Sequence, residues 1–171
     1  MECVLRDLSV TDAPALAALH VATFRETHAP HGGGPSLALR LQQWTDLLGA
    51  THAQRFVLGL DAPDGRLVGF AAGCPHDGGV PGYAGELNKI YLLREVQRRG
   101  LGRRLVLAVA ERFLERGVPS MLLFGDAKSA TNGFYEQLGA VRLLSASGEF
   151  HGGYGWPDLT ALTARFRRQA P

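Results

Sequence analysis

Gly85-Glu86-Leu87-Asn88-Lys89-Ile90-Tyr91-Leu92-Leu93-Arg94-Glu95-Val96-Gln97-Arg98-Arg99-Gly100-Leu101-Gly102-Arg103-Arg104 reads as a strand, a short basic turn with glycines, and the start of a helix. The first N–H groups of a helix have no partner inside it, and that end of its dipole is positive. A turn of this kind is therefore ready to take an anion. Gly100 and Gly102 carry no Cβ to keep a ligand off the backbone. Arg98, Arg99, Arg103 and Arg104 add positive charge. The stretch predicts a phosphate-bearing ligand held on main-chain amides at the end of a strand.

The rest of the chain bounds what that ligand serves. A length of 171 residues fits one domain with a single core, expected here to span 1–171 with its folded part from about 4 to 162. With 46% apolar and 20% charged residues the composition is that of an ordinary soluble protein. No run approaches the roughly 18–20 apolar residues of a membrane span. Residues 1–7 lack the basic-then-apolar pattern of a signal peptide, so a cytoplasmic location without membrane attachment is expected. Cys3 and Cys74 are not spaced as a metal or redox motif, and two reduced thiols are expected. The six histidines show no ligand spacing, so no metal is expected. A net charge of +2 is too mild to argue for nucleic acid. Arg165, Arg167 and Arg168 read as a solvated terminal tail.

In chain order, Val4 to Ser9 suits an opening strand. Thr11-Asp12-Ala13-Pro14 starts a helix reaching about Thr27, with apolar Leu16, Leu19, Ala22 and Phe24. His28 to Pro35 is a loop by composition. A second helix starts near Ser36, with Leu37, Leu41, Trp44, Leu47 and Leu48 on one face, and Gly49 ends it. Arg55–Leu60 and Leu67–Cys74 read as a hairpin around Asp64-Gly65. Ala84 to Leu93 is the central strand. Leu101, Leu105, Ala108, Val109 and Phe113 form a helical stripe closed at Gly117. Met121–Phe124 is a buried strand, and a helix from Ser129 or Ala130 runs to Leu138. Val141–Leu144 and Gly153–Leu162 are the last strand candidates. The order is β-α-α-β-β-β-α-β-α-β-β: an α/β (mixed α+β) fold with a mixed sheet and helices on its faces.

Three ligand classes compete for the turn. A dinucleotide fingerprint needs Gly-x-Gly-x-x-Gly directly after a strand. Here the third glycine is missing and Gly100 stands well past the strand, although Asp126 lies near the distance expected of a ribose-binding acid. A mononucleotide loop fails, because no Gly-Lys-Ser/Thr follows. The third class is carried by two motifs together. Gln97-Arg98-Arg99-Gly100-Leu101-Gly102 resembles the Gln/Arg-x-x-Gly-x-Gly/Ala pyrophosphate turn of the GNAT superfamily of N-acetyltransferases. Phe134-Tyr135-Glu136-Gln137-Leu138-Gly139-Ala140 resembles that family's later helix motif. The resemblance extends to the element order from Val4 to about Leu162. It implies the acyl-CoA N-acyltransferase fold, a mostly antiparallel sheet of about seven strands with about four helices. It also implies acetyl-CoA as co-substrate and transfer of its acetyl group to a primary amine by direct attack in a ternary complex.

The family resemblance assigns roles by position. Ile90, Tyr91 and Leu92 stand where the pantetheine arm pairs with the strand, with a bulge expected near Leu92 and its N–H polarising the thioester carbonyl. Gln97, Arg98, Arg99, Gly100, Leu101, Gly102 and Arg103 stand where the pyrophosphate binds. Tyr135 stands where the family places a proton donor to the leaving thiolate; the alternative is a core tyrosine beside Phe134. Glu86 is the candidate base, or a contact for a cationic acceptor, or a solvated glutamate at a strand start. Alternation puts Glu86, Asn88, Ile90 and Leu92 on one side of the strand. Asn132 stands close to where relatives carry a pantetheine-binding asparagine, but Lys128 occupies that position, so either residue is open for the cofactor. Phe24, His28, His31 and Trp44 fall in the segment that walls the acceptor site, Trp44 reading also as core. Tyr154 and Trp156 line the site or pack a final strand. The acceptor, a small molecule or a peptide, stays open, as does a homodimer, a common assembly in the family. A non-catalytic acyl-CoA-binding or sensing module on the same fold is the alternative of another class.

Overall fold

A computed structural model describes residues 2–28, 33–50 and 54–168. In chain order its elements are β1 (Val4–Asp7), α1 (Ala13–His28), α2 (Leu37–Gly49), β2 (Phe56–Asp61), β3 (Leu67–Pro75), β4 (Gly85–Leu92), α3 (Leu101–Glu115), β5 (Met121–Phe124), α4 (Asn132–Gln137), β6 (Val141–Leu144), β7 (Phe150–Trp156) and α5 (Leu159–Arg167). The strands form one sheet in the order β1-β2-β3-β4-β5-β7-β6. β4 and β5 are parallel, which requires a crossover, and α3 supplies it. β1–β2, β5–β7 and β6–β7 are antiparallel. The mixed, mostly antiparallel sheet expected from the sequence is present, with five α-helices among the described residues where about four are expected.

The chain divides into two compact units, Met1–Ala72 with Lys89–Leu105, and Gly73–Asn88 with Val106–Pro171. In the first unit, Ser9 and Asp12 close a 3-10 turn, Val10–Asp12, that leads into α1: the Ser9 N–H donates to Asp12 Oδ2 at 2.8 Å, and the Asp12 N–H to the Ser9 carbonyl at 2.9 Å. Arg6 then joins Asp12 and Asp61, so β1, β2 and the start of α1 share one guanidinium. Ser36 caps α2, accepting from the Leu39 N–H at 3.1 Å. The stripe expected on α2 is only half used. Trp44 is buried, whereas Leu37 is 52% exposed and Leu41 37%. The first turn of α2 overhangs the core made by Leu16, Leu19, Val57 and Phe70.

In the second unit the stripe of α3 and the strand β5 are both in the core: Val109, Ala110, Phe113, Met121 and Leu122 are all buried. The helix ends as Gly117 turns left-handed and the Val118 N–H returns to the Phe113 carbonyl at 2.9 Å. Helix α4 is shorter than expected, because Asp126 and Ser129 spend themselves on turns: the Ser129 N–H donates to the Asp126 carbonyl and the Asn132 N–H to that of Ser129.

The end of the chain corrects the sequence reading. The strand expected over Gly153–Leu162 stops at Trp156, where Pro157 has no N–H to continue the ladder. Asp158 then caps a helix, its Oδ1 accepting from the Ala161 N–H at 3.0 Å. Leu159, Leu162 and Thr163 bury one face of that helix. Arg165 and Arg167 are thus the last turn of α5 and not a loose tail, and Arg167 Nη2 lies 3.0 Å from Glu111 Oε1 on α3.

Candidate functional site

The basic turn in the first unit is held from several sides. A short 3-10 turn, Arg94–Val96, follows β4, and Val96 is buried beneath it. The Arg94 N–H donates to Glu26 Oε2 at 2.9 Å and its guanidinium to the Glu26 carbonyl at 2.7 Å. Glu95 accepts from Arg66 at 2.6 Å. The Gln97 side-chain amide donates back to the Leu92 carbonyl at 2.9 Å, and Arg104 donates to the Cys3 carbonyl. These bonds sort the arginines. Arg94 and Arg104 are structural, whereas Arg98 and Arg99 are exposed and make no hydrogen bond among the described residues. Arg103 is exposed on the first turn of α3.

The backbone of this turn is unusual. Arg98 has φ +61° and Gly100 φ +79°, so two left-handed residues flank Arg99. Successive N–H groups in such a turn face a common point and form an anion-binding concavity. Nothing lies within 4 Å of where a Cβ on Gly100 would stand, so its backbone is open to a ligand. The chemistry of the donors and the open backbone fit a phosphate-bearing group. Gln97 enters through the hydrogen bond that closes the turn onto Leu92.

Of the strand triplet, Tyr91 turns its ring inward. It stacks on Phe70 with centroids 5.5 Å apart and lies 5.0 Å from the ring of His20. Burial pushes its phenol up, with Arg40 acting the other way. Trp44 belongs to the same aromatic cluster, donating from Nε1 to His20 Nδ1 at 3.1 Å. It is core and does not line the surface. Phe24 is half-buried and lines a groove of about 290 Å³ with Val21, Arg25, Gly33, Gly34 and Pro35. His28 ends α1; its side chain and the whole of His31 lie outside the described residues.

In the second unit, Glu86 sits in the first half of β4, whose pairing with β5 covers Gly85↔Met121 and Glu86↔Leu122. Its side chain is 20% exposed. One carboxylate oxygen, Oε1, accepts from Asn88 Nδ2 at 2.8 Å, which fits the predicted shared face of the strand. The other, Oε2, lies 3.5 Å from His76 Nδ1. The sequence reading missed His76. No local signal marks it, because it meets Glu86 only where the ends of β3 and β4 come together, its N–H donating to the Ala84 carbonyl at 2.9 Å.

Tyr135 is half-buried on α4, its ring 5.2 Å from Phe134, 5.6 Å from Tyr154 and 6.3 Å from Trp156. Tyr154 and Trp156 are buried and hydrogen-bonded, the Tyr154 hydroxyl to Glu136 Oε1 at 2.8 Å and Trp156 Nε1 to the Leu138 carbonyl at 3.1 Å. They brace α4 against β7. Burial, and then the bond to Glu136, push the Tyr154 hydroxyl up. Glu136 is itself held down by Arg142 first and by Tyr154 second. Asn132 spends its amide on the loop before α4, donating to the Asp126 carbonyl at 3.1 Å and the Ala127 carbonyl at 2.9 Å. Lys128 is exposed. Asp126 accepts from the Lys128 N–H through Oδ1, so the acid that favoured a dinucleotide is occupied closing a turn.

Comparison with known proteins follows the same lines. Residues 15–140 match the acetyltransferase (GNAT) family. The chain is similar to the uncharacterized N-acetyltransferase YuaI of Bacillus subtilis, 30% identical over 171 residues that cover 96% of this chain and 98% of the relative. It is also 31% identical to the mycothiol acetyltransferase of Renibacterium salmoninarum over 167 residues, 91% of this chain but 44% of that longer protein. Among solved structures, the PaiA N-acetyltransferase of Thermoplasma acidophilum in complex with coenzyme A shares the fold, with a TM-score of 0.71 at 18% identity, covering 91% of this chain and 98% of that one.

Proposed function

The chain belongs to the GNAT family of acetyltransferases, and from that premise we propose that it transfers an acetyl group from acetyl-CoA to a primary amine by direct attack in a ternary complex. The observation that carries the cofactor half is the doubly left-handed turn at Arg98 and Gly100, with an open backbone and beside it two exposed guanidinium groups that make no hydrogen bond among the described residues. Gln97 to Arg103 would hold the pyrophosphate there. The main chain of Ile90, Tyr91 and Leu92 would pair with the amide-bearing arm, as an added strand does. CoA then supplies the activated thioester.

The chain's own groups do the rest. Acetyl transfer to an amine needs a proton removed from the nucleophile, a polarised carbonyl and a proton for the leaving thiolate. Glu86 takes the first proton, directly or through a water, and its charge favours a cationic acceptor. The Leu92 N–H polarises the carbonyl. The Tyr135 hydroxyl gives the last proton, and the aromatic packing around its ring fixes where that hydroxyl points. Phe24 and the groove beside it contact the acceptor, with His28 assigned the same role by its position. Asn132 supports the cofactor through the loop it pins.

The deciding experiment is release of CoA from acetyl-CoA across a panel of small amines, amino acids, aminoglycosides and peptide N-termini. It is run with the wild type and Glu86→Gln. One amine class should release CoA with the wild type, and the variant should lose roughly a hundredfold or more in turnover, as expected for loss of a general base. Acetyl-CoA binding without release for any amine would instead favour the non-catalytic sensing module. Equal turnover in Glu86→Gln would remove Glu86 from the chemistry.

A further inference from the structure

We propose that His76 is a positioning residue for Glu86, fixing its carboxylate through Nδ1 while Asn88 fixes it from the other side. The inference rests on the reading of Glu86 as the group that meets the acceptor amine.

Three observations carry it. First, the two oxygens of Glu86 face different partners: Oε1 accepts a hydrogen bond from Asn88 Nδ2 at 2.8 Å, and Oε2 lies at ion-pair distance, 3.5 Å, from His76 Nδ1. A carboxylate held by one oxygen still rotates about its own bond; one held by both presents its remaining lone pairs in a set direction. Catalytic contacts are often long before the substrate arrives and tighten with it, so 3.5 Å is within the expected range. Second, the His76 imidazole is itself enclosed. Its side chain is 8% exposed, its ring lies 6.0 Å from that of Phe124, and its main-chain N–H donates to the Ala84 carbonyl. Third, His76 Nε2 is buried without a hydrogen-bond partner among the described residues.

The third observation decides which nitrogen carries the proton. A proton on Nε2 would be a buried donor with no acceptor, and would leave the Nδ1 lone pair facing a carboxylate oxygen. A proton on Nδ1 removes both costs: it points at Glu86, and Nε2 is left as a bare acceptor. His76 is therefore the Nδ1–H tautomer, selected by the unpartnered Nε2 and by the carboxylate that faces Nδ1. None of this is visible along the sequence, because the contact forms only where β3 hands over to β4.

The test has two arms. In the first, nitrogen NMR of the intact wild type near neutral pH should show His76 protonated on Nδ1. In Glu86→Ala, where Nε2 still lacks an acceptor, the proton should stay on Nδ1 but lose the downfield shift that a carboxylate acceptor gives it. His76 found protonated on Nε2 in the wild type, or an Nδ1 proton whose shift is the same in Glu86→Ala, overturns the proposal whether or not the protein turns over. In the second arm, His76→Asn keeps a nitrogen donor near the place of Nδ1, His76→Gln keeps one near Nε2, and His76→Ala keeps neither. With the amine that releases most CoA, the Asn variant should retain turnover to within a fewfold. The Gln and Ala variants should lose roughly ten- to a hundredfold in kcat, with KM for acetyl-CoA unchanged. Equal losses in the Asn and Gln variants, or a change confined to KM, overturn it. A wild type that releases no CoA with any amine sinks the acetyltransferase reading instead, and the NMR arm alone then decides the His76–Glu86 contact.

Discussion

Tyr135 and His20 show how aromatic surroundings can set the task of one polar atom. The ring of Tyr135 is packed against Phe134, Tyr154 and Trp156. Tyr135→Phe should therefore leave the fold intact and remove only the hydroxyl. If that hydroxyl protonates the departing thiolate, kcat should fall by roughly a hundredfold with little change in acetyl-CoA affinity, as measured by CoA release and by titration of binding. Unchanged turnover would return Tyr135 to the core. His20 is 1% exposed, accepts a hydrogen bond from Trp44 at Nδ1, and lies against Phe70 and Tyr91. Burial lowers its pKa from 6.5 to about 4, with smaller contributions from the charges of Arg40 and Lys89. The folded state thus resists a proton that the unfolded state accepts. The stability this neutral histidine allows is fully present above pH 6.5 and is lost as pH falls toward 4. A shift of that size corresponds to about 3 kcal/mol. Denaturant unfolding across that window should show the loss. In His20→Gln, which keeps an acceptor for Trp44, this part of the acid limb should be missing.

Elements whose signals are local were legible, and those that depend on a distant partner were not. The β4–turn–α3 unit could be read because its strand, its glycines and its apolar stripe stand next to one another in the chain. The hairpin at Asp64-Gly65 could be read for the same reason, and the structure shows it closed by an Ala62 N–H to Arg66 carbonyl bond of 2.8 Å. Helix α5 was lost because the glycine-rich run before it reads as weak strand, and the Pro157-Asp158 start signal was passed over. Two substitutions measure how firmly these ends are set. Asp158→Ala removes the cap of α5 and should cost about 1 kcal/mol in denaturant unfolding. Gly152 has φ +93°, and a Cβ there would collide with the Gly125 carbonyl across the pair that begins where β5 ends. Gly152→Ala should cost more, about 1–2 kcal/mol for the left-handed backbone alone. The exposed first turn of α2 was misread for the opposite reason. Its leucines have helical spacing, and nothing in the spacing says that the core stops at Trp44.

For the molecule as a whole, the test of the cofactor reading is thermodynamic. A ligand that binds only the folded state stabilises it by mass action, by about 2.7 kcal/mol at a hundredfold excess over its Kd. For a chain of this size each kcal/mol moves Tm by about 2–4 °C. Saturating acetyl-CoA should thus raise Tm by roughly 5–10 °C, and NAD should not raise it. That rise alone would not separate an enzyme from a sensing module, since both hold the turn; release of CoA by the wild type with an amine separates those. The rise can, however, be traced to the turn. With a net charge of only +2, the molecule's overall field attracts a polyanion weakly, so the attraction must come from charges close to the phosphates. Arg98 and Arg99 are exposed, and at 1 M salt the screening length shrinks to about 3 Å. The Tm rise should therefore shrink at high salt. It should shrink further in Gly100→Val, where a β-branched residue is forced into the left-handed region and its side chain occupies the open face of the turn. A rise that survived both changes would mean that the phosphates are held elsewhere.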